Sequence, residues 1–206
     1  MLKVCEIFSS IQGEGPLMGK PAHFLRLAGC VEPFCPQCDT RHALQGGESM
    51  SVTALCEALR SGPDTVVITG GEPFFQWNNG LEELCHVLEE KGKRLQYETS
   101  GRVEIPEKVP GYIVCSPKPM GRPYLTLNMV TRCHAFKFVV DANVQPTLDI
   151  ITRWNLPPEK VWLMPMGMSR QEQLKLMPFV WEVACEYGYN FSPRLHIVAF
   201  DQKQGV

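Results

Sequence analysis

Three cysteines close together are the strongest sign of chemistry in this sequence. Cys30, Cys35 and Cys38 fall within nine residues, in the segment Cys-Val-Glu-Pro-Phe-Cys-Pro-Gln-Cys. Each thiolate is a soft metal ligand. A closed zinc site takes four protein ligands, whereas a [4Fe–4S] cube held by three cysteines keeps one iron open for another molecule. The count of three therefore makes an iron–sulfur cluster the first hypothesis.

Two other interpretations of the cysteine loop (residues 30–40) stay open at this point. A zinc knot needs a fourth ligand, which His23 or His42 would have to supply because the chain has no second Cys-x-x-Cys pair. A dithiol redox motif is suggested by the Cys-Pro-Gln-Cys segment at 35–38, but it leaves Cys30 without a role. An iron–sulfur cluster uses all three thiols, and the turn-forming prolines of the loop suit a chain that wraps around it.

Composition limits the classes of protein to consider. The 206 residues are 44% hydrophobic and 20% charged, with a formal net charge of −2. This length predicts one domain over residues 1–206. The charge provides no basic field for nucleic acid, and no apolar run approaches the ~20 residues of a membrane span. Because the first residues lack the apolar core of a signal peptide, we expect a cytoplasmic protein.

The elements around the cysteine loop are typical of an α/β fold. Short apolar strands alternate with amphipathic helices, a pattern that favours a mainly parallel sheet. The predicted strands are 4–10, 22–28, 65–68, 94–97, 111–115, 135–140, 161–164 and 196–200. The predicted helices are 51–60, 81–92, 148–154 and 171–187. Pro178 allows a kink or break in the last helix.

Polar segments that contain glycine or proline follow several of these strands. They are Thr69–Pro73, Glu98–Gly101, Ser116–Pro119 and Met164–Gly167, and the cysteine loop follows another strand. The carboxyl ends of parallel strands meet at one edge of a sheet, where such folds bind their ligands. We therefore predict that the cysteine loop faces a ligand cleft at that edge.

Several segments resemble one enzyme family. The cysteines, with Gly-Gly-Glu-Pro at 70–73, resemble the radical S-adenosylmethionine (radical SAM) superfamily, although four residues rather than the usual three separate Cys30 from Cys35. The segments that resemble the 7-carboxy-7-deazaguanine synthases are Ile11-Gln-Gly-Glu-Gly15, Arg26 before Ala-Gly-Cys30, Cys38-Asp-Thr40, Thr69-Gly-Gly-Glu-Pro73, Glu98-Thr-x-Gly101, Ser116-Pro-Lys118 and Lys137-Phe-Val-Val140. The resemblance covers nearly the whole chain and implies a truncated β/α barrel of the radical SAM type.

The resemblance implies a set of cofactor contacts. A [4Fe–4S] cluster would be held by the three cysteines, and S-adenosylmethionine would chelate its open iron to yield a 5′-deoxyadenosyl radical. Gly70 and Gly71 would let the methionine moiety approach the backbone closely, and Glu72 would accept from its ammonium. The other implied cofactor contacts are Ser116, Pro117 and Lys118, and Met164, Pro165, Met166 and Gly167, where Met164 offers only its backbone.

The family substrate is 6-carboxy-5,6,7,8-tetrahydropterin, a flat, polar bicycle with one carboxylate. Arg26 would bind that carboxylate, and Thr69 would add a hydroxyl. The remaining implied substrate contacts are Ile11, Gln12, Gly13, Glu14, His196 and the terminal carboxylate of Val206. Thr40 would help to hold Mg2+, an ion that prefers oxygen ligands, although Asp39 is the more obvious ligand by residue type.

The implied reaction belongs to the queuosine pathway of transfer RNA modification. A hydrogen is abstracted from C6 of the pterin, the ring contracts, ammonia is lost, and 7-carboxy-7-deazaguanine forms while S-adenosylmethionine is regenerated. The family also implies a homodimer, flavodoxin or ferredoxin as electron donor, and no contact with nucleic acid or membrane. Two alternatives stay open: a different small radical SAM enzyme, such as a glycyl-radical activase, and a zinc-stabilised binding module.

Overall fold

The structure is a computed structural model that describes residues 1–36, 38–118, 125–203 and 205. Within these residues nine strands belong to one sheet. Their bounds are β1 (Leu2–Ile11), β2 (Pro21–Leu27), β3 (Glu48–Met50), β4 (Thr65–Gly70), β5 (Arg94–Thr99), β6 (Tyr112–Cys115), β7 (Ala135–Val140), β8 (Val161–Pro165) and β9 (Asn190–Phe191).

Helices connect most of these strands. In the described part of the chain they are α1 (Val52–Ala58), α2 (Leu81–Glu90), α3 (Leu127–Arg132), α4 (Gln145–Arg153), α5 (Arg170–Tyr187) and α6 (Leu195–Phe200). The four helices predicted from periodicity and capping correspond to α1, α2, α4 and α5, and Ser51 caps α1 by accepting from the Ala54 amide. None of the described helices combines the length and apolar character that crossing a bilayer requires.

Parallel pairing dominates the sheet, whose order is β3-β1-β2-β4-β5-β6-β7-β8-β9. From β2 through β4 to β9 every neighbouring pair is parallel, whereas β1 is antiparallel to both β2 and β3. The central strands β4 and β7 are buried on both faces, which explains their continuous apolar sequences. The predicted α/β fold with a mainly parallel sheet is confirmed, and the open sheet agrees with a truncated barrel.

The antiparallel strand β1 gives the first connection an unexpected path. Its last residue, Ile11, lies opposite Pro21, so residues 12–20 start at the end of β2 remote from Cys30. These residues nevertheless reach distant strands, because the Gly15 amide donates to Ser192 Oγ, just after β9, at 2.8 Å. The sheet therefore curves enough to bring elements from both ends of the strand order together.

The structure near the C-terminus decides two local predictions. The predicted strand 196–200 is wrong, because these residues form α6, in which the Val198 amide donates to Arg194 O at 3.0 Å. Its Ile-Val-Ala-Phe sequence favours a strand locally, but β9 already pairs with β8 at this side of the sheet. Helix α5 continues through Pro178 without a break.

Candidate active site

The cysteine loop follows β2 directly and carries three thiols in a partly shielded environment. Cys30, Cys35 and Cys38 are free and half-buried. Burial raises the pKa of the Cys30 and Cys38 thiols, and the neighbouring Cys35 raises both further. Because a metal binds the thiolate, loading of these cysteines is expected to release protons.

The donor set fits an iron–sulfur cluster. Among the described residues, no group of three or more His, Cys, Asp and Glu side chains is arranged closely enough to hold a metal ion. A cube of four irons takes one thiolate at each of three corners, so its ligands stand farther apart than those of one ion. The two histidines considered for a zinc knot have other partners, since His23 contacts Ser9 and Ser61 and His42 contacts Glu6.

The segment Thr69–Pro73 at the end of β4, called the glycine loop below, packs directly on the backbone that leads into Cys30. The Gly71 amide donates to Leu27 O at 3.1 Å. A Cβ on Gly70 would lie 2.0 Å from Leu27 O, and one on Gly71 would lie 1.9 Å from Gly29 O. Any side chain here would push the glycine loop off the cysteine loop. The contact of both glycines with a methionine moiety stays a prediction.

Glu72 anchors the glycine loop to the end of β5. Its fully buried carboxylate accepts from Thr99 Oγ1 at 2.6 Å and from the amide and hydroxyl of Ser100 at 2.9 and 2.5 Å. Burial raises the pKa of Glu72, and these donors oppose that rise. The Phe74 backbone is a fourth hydrogen-bond partner of this carboxylate, so a cofactor ammonium would have to share an oxygen with one of these donors. That contact stays a prediction.

The segment after β6 lies beside the end of β5. The Ser116 amide donates to Thr99 O at 2.7 Å, and Lys118 Nζ donates to Ser116 Oγ at 2.8 Å. Pro117 between them is buried. These contacts confirm that the segment reaches the predicted edge, while its binding to a cofactor stays a prediction.

The segment after β8 completes the same edge. Met164 and Pro165 are buried, and the Met166 amide donates to Val140 O, the end of β7, at 2.8 Å. Gly167 O accepts from Gln173 Nε2 at 3.0 Å and from Arg194 Nη1 at 3.2 Å. The polar segments that follow the parallel strands therefore meet along one edge, as predicted.

A buried lysine links two carboxylates inside the site. Lys137 Nζ lies 2.8 Å from Glu14 Oε2 and 2.7 Å from Glu98 Oε2, and the residue is only 4% exposed. Burial disfavours the charged amine, but the two carboxylates outweigh it and raise the pKa of Lys137. Gln12 Nε2 donates to Glu98 Oε1 at 3.3 Å. The 12–14 turn is thereby held against β5 and β7.

Arg194 connects this pair of carboxylates to the cysteine loop. Its Nε lies 2.9 Å from Glu14 Oε1, and its Nη2 donates to Asp39 Oδ2. His196 Nε2 lies 4.0 Å from Glu14 Oε1, and burial lowers the pKa of His196. The Leu195 amide donates to Gly13 O at 2.8 Å. The 12–14 turn, the cysteine loop and the start of α6 are thus joined. The charged cluster that joins them consists of Glu14, Asp39, Glu98, Lys137, Arg194 and His196.

The remaining predicted residues that the structure describes lie on β1 (Ile11), on β2 (Arg26), on β4 (Thr69) and in the cysteine loop (Thr40). Arg26 is paired in register with Thr69 and ion-paired with Glu6, its Nε lying 2.6 Å from Glu6 Oε1. Thr40 Oγ1 donates to Asp39 Oδ1 at 2.8 Å. Ile11 is exposed at the end of β1. Val206 lies outside the described residues.

Three prominent residues of the site were not predicted as site residues from the sequence: Glu98, Lys137 and Arg194. Lys137 carried a usable signal, because it is a lone charge in the apolar run Ala-Phe-Lys-Phe-Val-Val, as Arg26 is in β2. Arg194 carried none, since it follows a Ser-Pro dipeptide outside any regular element. Its two ion-pair partners come from segments more than 150 residues earlier, at separations of 155 and 180 residues.

Stability should depend on pH through Glu14. Burial opposes its ionisation, but Lys137, Arg194 and His196 together hold the pKa of Glu14 well below its ordinary value of 4.5. The unfolded chain therefore binds the proton first, and the stabilisation present above pH 4.5 is lost as the pH falls through the lower folded value. Glu14→Gln should lower the free energy of unfolding by about 3 kcal/mol at neutral pH and by much less under acid conditions.

Urea unfolding, repeated from pH 7 down to the lowest pH at which the protein stays folded, measures the difference in free energy of unfolding between Glu14→Gln and the unsubstituted protein. Glu83→Gln on the exposed side of α2 is the matched control, because it makes the same change away from the buried cations. A Glu14→Gln deficit that stays constant over the whole pH range would contradict the expected ionisation.

Comparison with known proteins identifies the relatives of this chain, although no protein-family model matches it. It is 37% identical to the 7-carboxy-7-deazaguanine synthase of Hyperthermus butylicus, over 96% of this chain and 92% of the relative. It is 36% identical to the enzyme of that name from Pyrobaculum aerophilum, over 99% and 97%. The crystal structure of QueE from Escherichia coli superposes with a TM-score of 0.78 at 25% identity, over 95% of this chain and 94% of that one.

These matches extend over almost the full length of both partners, so they include the cysteine loop, the glycine loop and the 12–14 turn. They agree with the resemblance found in the motifs and with the open, mainly parallel sheet. The chain belongs to the 7-carboxy-7-deazaguanine synthase family of radical SAM enzymes.

Proposed function

We propose that this protein is a lyase that converts 6-carboxy-5,6,7,8-tetrahydropterin into 7-carboxy-7-deazaguanine with loss of ammonia, in queuosine biosynthesis. The observation that carries the proposal is one arrangement. A loop with three half-buried free thiols is tied through Asp39 and Arg194 to the partly buried carboxylate of Glu14. The near full-length relatives that bear this enzyme's name support it.

The cysteines are assigned to a [4Fe–4S] cluster, with Cys30, Cys35 and Cys38 as its ligands and S-adenosylmethionine at the open iron. When bound, this pair supplies the radical that abstracts hydrogen from the substrate. The chain's own contribution is to hold the cofactor in place along the sheet edge. The assigned cofactor residues are Gly70, Gly71 and Glu72, Ser116, Pro117 and Lys118, and Met164, Pro165, Met166 and Gly167.

The substrate is assigned to the charged cluster beside that edge. Gln12 and Glu14 offer an amide and a carboxylate, which match the donors and acceptors of a pterin edge. Arg26 suits the substrate carboxylate, although it would have to share its guanidinium with Glu6. Thr69 stands beside Arg26 in register. The other assigned contacts are Ile11, Gly13, His196 and Val206.

Mg2+ is assigned to Thr40. The Thr40 hydroxyl faces Asp39, so a hard oxygen donor and a carboxylate lie together at the end of the cysteine loop. Mg2+ keeps several waters and is often bound by few protein ligands together with substrate oxygens. The Asp39 carboxylate is occupied by Arg194, which favours Thr40 as the protein ligand.

Further parts of the proposal concern the setting of the reaction. Residues 1–206 act as one radical SAM domain, in a cytoplasmic homodimer that receives electrons from flavodoxin or ferredoxin. The net charge of −2 gives no reason to expect direct binding of nucleic acid.

One reconstitution tests the proposed activity. The anaerobically reconstituted and reduced protein is incubated with the pterin, S-adenosylmethionine and Mg2+, and products are identified by mass spectrometry. We expect 7-carboxy-7-deazaguanine without stoichiometric consumption of S-adenosylmethionine.

Thr40→Val should raise the Mg2+ concentration needed for half-maximal rate by about tenfold, whereas Thr40→Ser, which keeps the hydroxyl, should not.

Two outcomes would overturn the proposal in different ways. An intact cluster without any deazapurine product would favour the activase alternative. A colourless, iron-free protein with one tightly bound zinc would favour the binding module.

A further inference from the structure

Arg102 is a buried arginine whose guanidinium lies against the cysteine loop. It follows β5 and is 8% exposed. Its Nη1 donates to Val31 O at 2.8 Å and to Pro33 O at 2.7 Å, and its Nη2 donates to Glu32 O at 2.8 Å. One side chain thus binds three consecutive carbonyls.

These carbonyls belong to the interval in which this chain departs from the superfamily pattern. Four residues separate Cys30 from Cys35, and Arg102 binds the carbonyls of the first three. A guanidinium is planar, and its donors point in fixed directions. Three carbonyls that converge on it therefore cannot move independently of one another.

Arg102 is itself tied to the glycine loop. Its amide donates to Ser100 Oγ at 3.4 Å, and that hydroxyl donates to the buried Glu72 carboxylate at 2.5 Å. Glu72 in turn donates its amide to Gly29 O, next to Cys30, at 2.9 Å. The cysteine loop is therefore held from both sides, by the Glu72 backbone before Cys30 and by the Arg102 side chain after it.

We propose that Arg102 is a positioning residue that fixes the four-residue interval between Cys30 and Cys35, so that both thiols meet the cluster at the correct spacing. The inference rests on the proposed assignment of the cluster to this loop. It does not depend on which substrate the enzyme takes. In this role Arg102 acts through the backbone of the cysteine loop.

Two variants of Arg102 test the proposal, with Arg132→Gln as a matched control. Arg132 also donates to a backbone carbonyl, Glu107 O at 2.8 Å, but this carbonyl lies outside the cysteine loop. Arg102→Gln removes both the positive charge and the planar set of guanidinium donors. Arg102→Lys keeps the positive charge but removes the planar set of donors. Each protein is reconstituted anaerobically, and iron per chain and the rate of cluster loss to a chelator are measured without pterin.

A second readout uses the cluster-free proteins. Hydrogen exchange of the amides of Val31, Glu32, Phe34 and Cys35 should be about tenfold faster in both Arg102 variants, because a lost charged hydrogen bond corresponds to at least that factor. Cluster loss should accelerate by a similar factor. Arg132→Gln should change neither quantity, and exchange in β4 and β7 should match the unsubstituted protein in all three variants.

Several results would overturn the proposal. They are unchanged loop exchange and cluster loss in Arg102→Gln, an equal effect from Arg132→Gln, or failure of both Arg102 variants to fold, which would show a global role. A protein that shows the expected loop and cluster effects but forms no deazapurine would contradict the proposed activity and leave this inference standing.

Discussion

Single replacement of Cys30, Cys35 or Cys38 by alanine is expected to remove the cluster and to reduce deazapurine formation below detection. Three thiolates are the complete protein ligand set in the proposed site, and two cannot hold the cube at three corners. Iron and sulfide analysis, the visible absorption spectrum and product assays on anaerobically reconstituted protein measure the effect. All three variants should fold, because these cysteines are only half-buried.

Cys185→Ala is the control for the cysteine variants. Cys185 is exposed on α5 and lies outside the cysteine loop, so this variant should keep its iron and its activity. A loop variant that retained full iron and full turnover would refute the assignment of that cysteine. Equal loss in Cys185→Ala would point to general damage during reconstitution rather than to missing ligands.

Lys137→Met is expected to destabilise the fold by about 3–5 kcal/mol, since it leaves the partly buried Glu98 carboxylate without a cation and takes one of its cations from Glu14, which keeps Arg194. Lys137 lies between Glu14 and Glu98, both within 2.8 Å. Burial raises the pKa of Glu98, and the nearby Glu14 adds to that rise. Lys137 opposes this rise, so its removal should raise the pKa of Glu98 further. Thermal and urea unfolding of the reconstituted protein measure the loss.

A double variant separates charge from packing at this site. Lys137→Met combined with Glu98→Gln removes the cation and one of the two anions, so it should recover at least a third of the lost free energy. Lys175→Met on the exposed surface of α5 should change stability by less than about 0.5 kcal/mol. Stability of Lys137→Met within about 1 kcal/mol of the unsubstituted protein would contradict the described ion pairs.

Local sequence patterns predicted most of the sheet because the central strands are buried on both faces. Segments such as 65–68 and 135–140 are continuous apolar runs, and β4 and β7 are found there. The parallel order then fixed where polar strand ends would meet, so the edge of the site was predictable. The same reasoning failed at 196–200, where a strand-like composition forms α6. The pairing of β9 with β8 at that end of the sheet, which local composition does not reveal, accompanies the helical conformation of residues 196–200.

Motif reasoning found the residues that a cofactor and a substrate would need, but it could not find their supports. Lys137, Arg194 and Arg102 join segments 123, 180 and about 70 residues apart. Their positions depend on the curvature of the sheet and on the path of residues 12–20. Neither feature follows from local periodicity.

The sequence by itself determined the chemistry of this protein: three soft ligands on one loop, a glycine-rich turn and a set of motifs that together resemble one family. Residue type and spacing are sufficient for that, because ligand preference is a property of the side chains. Only the tertiary structure decided how the longer interval after Cys30 is held. The carbonyls at 31–33 find their donor in Arg102, on a different strand end, and long-range pairing of this kind exists only once the sheet has formed.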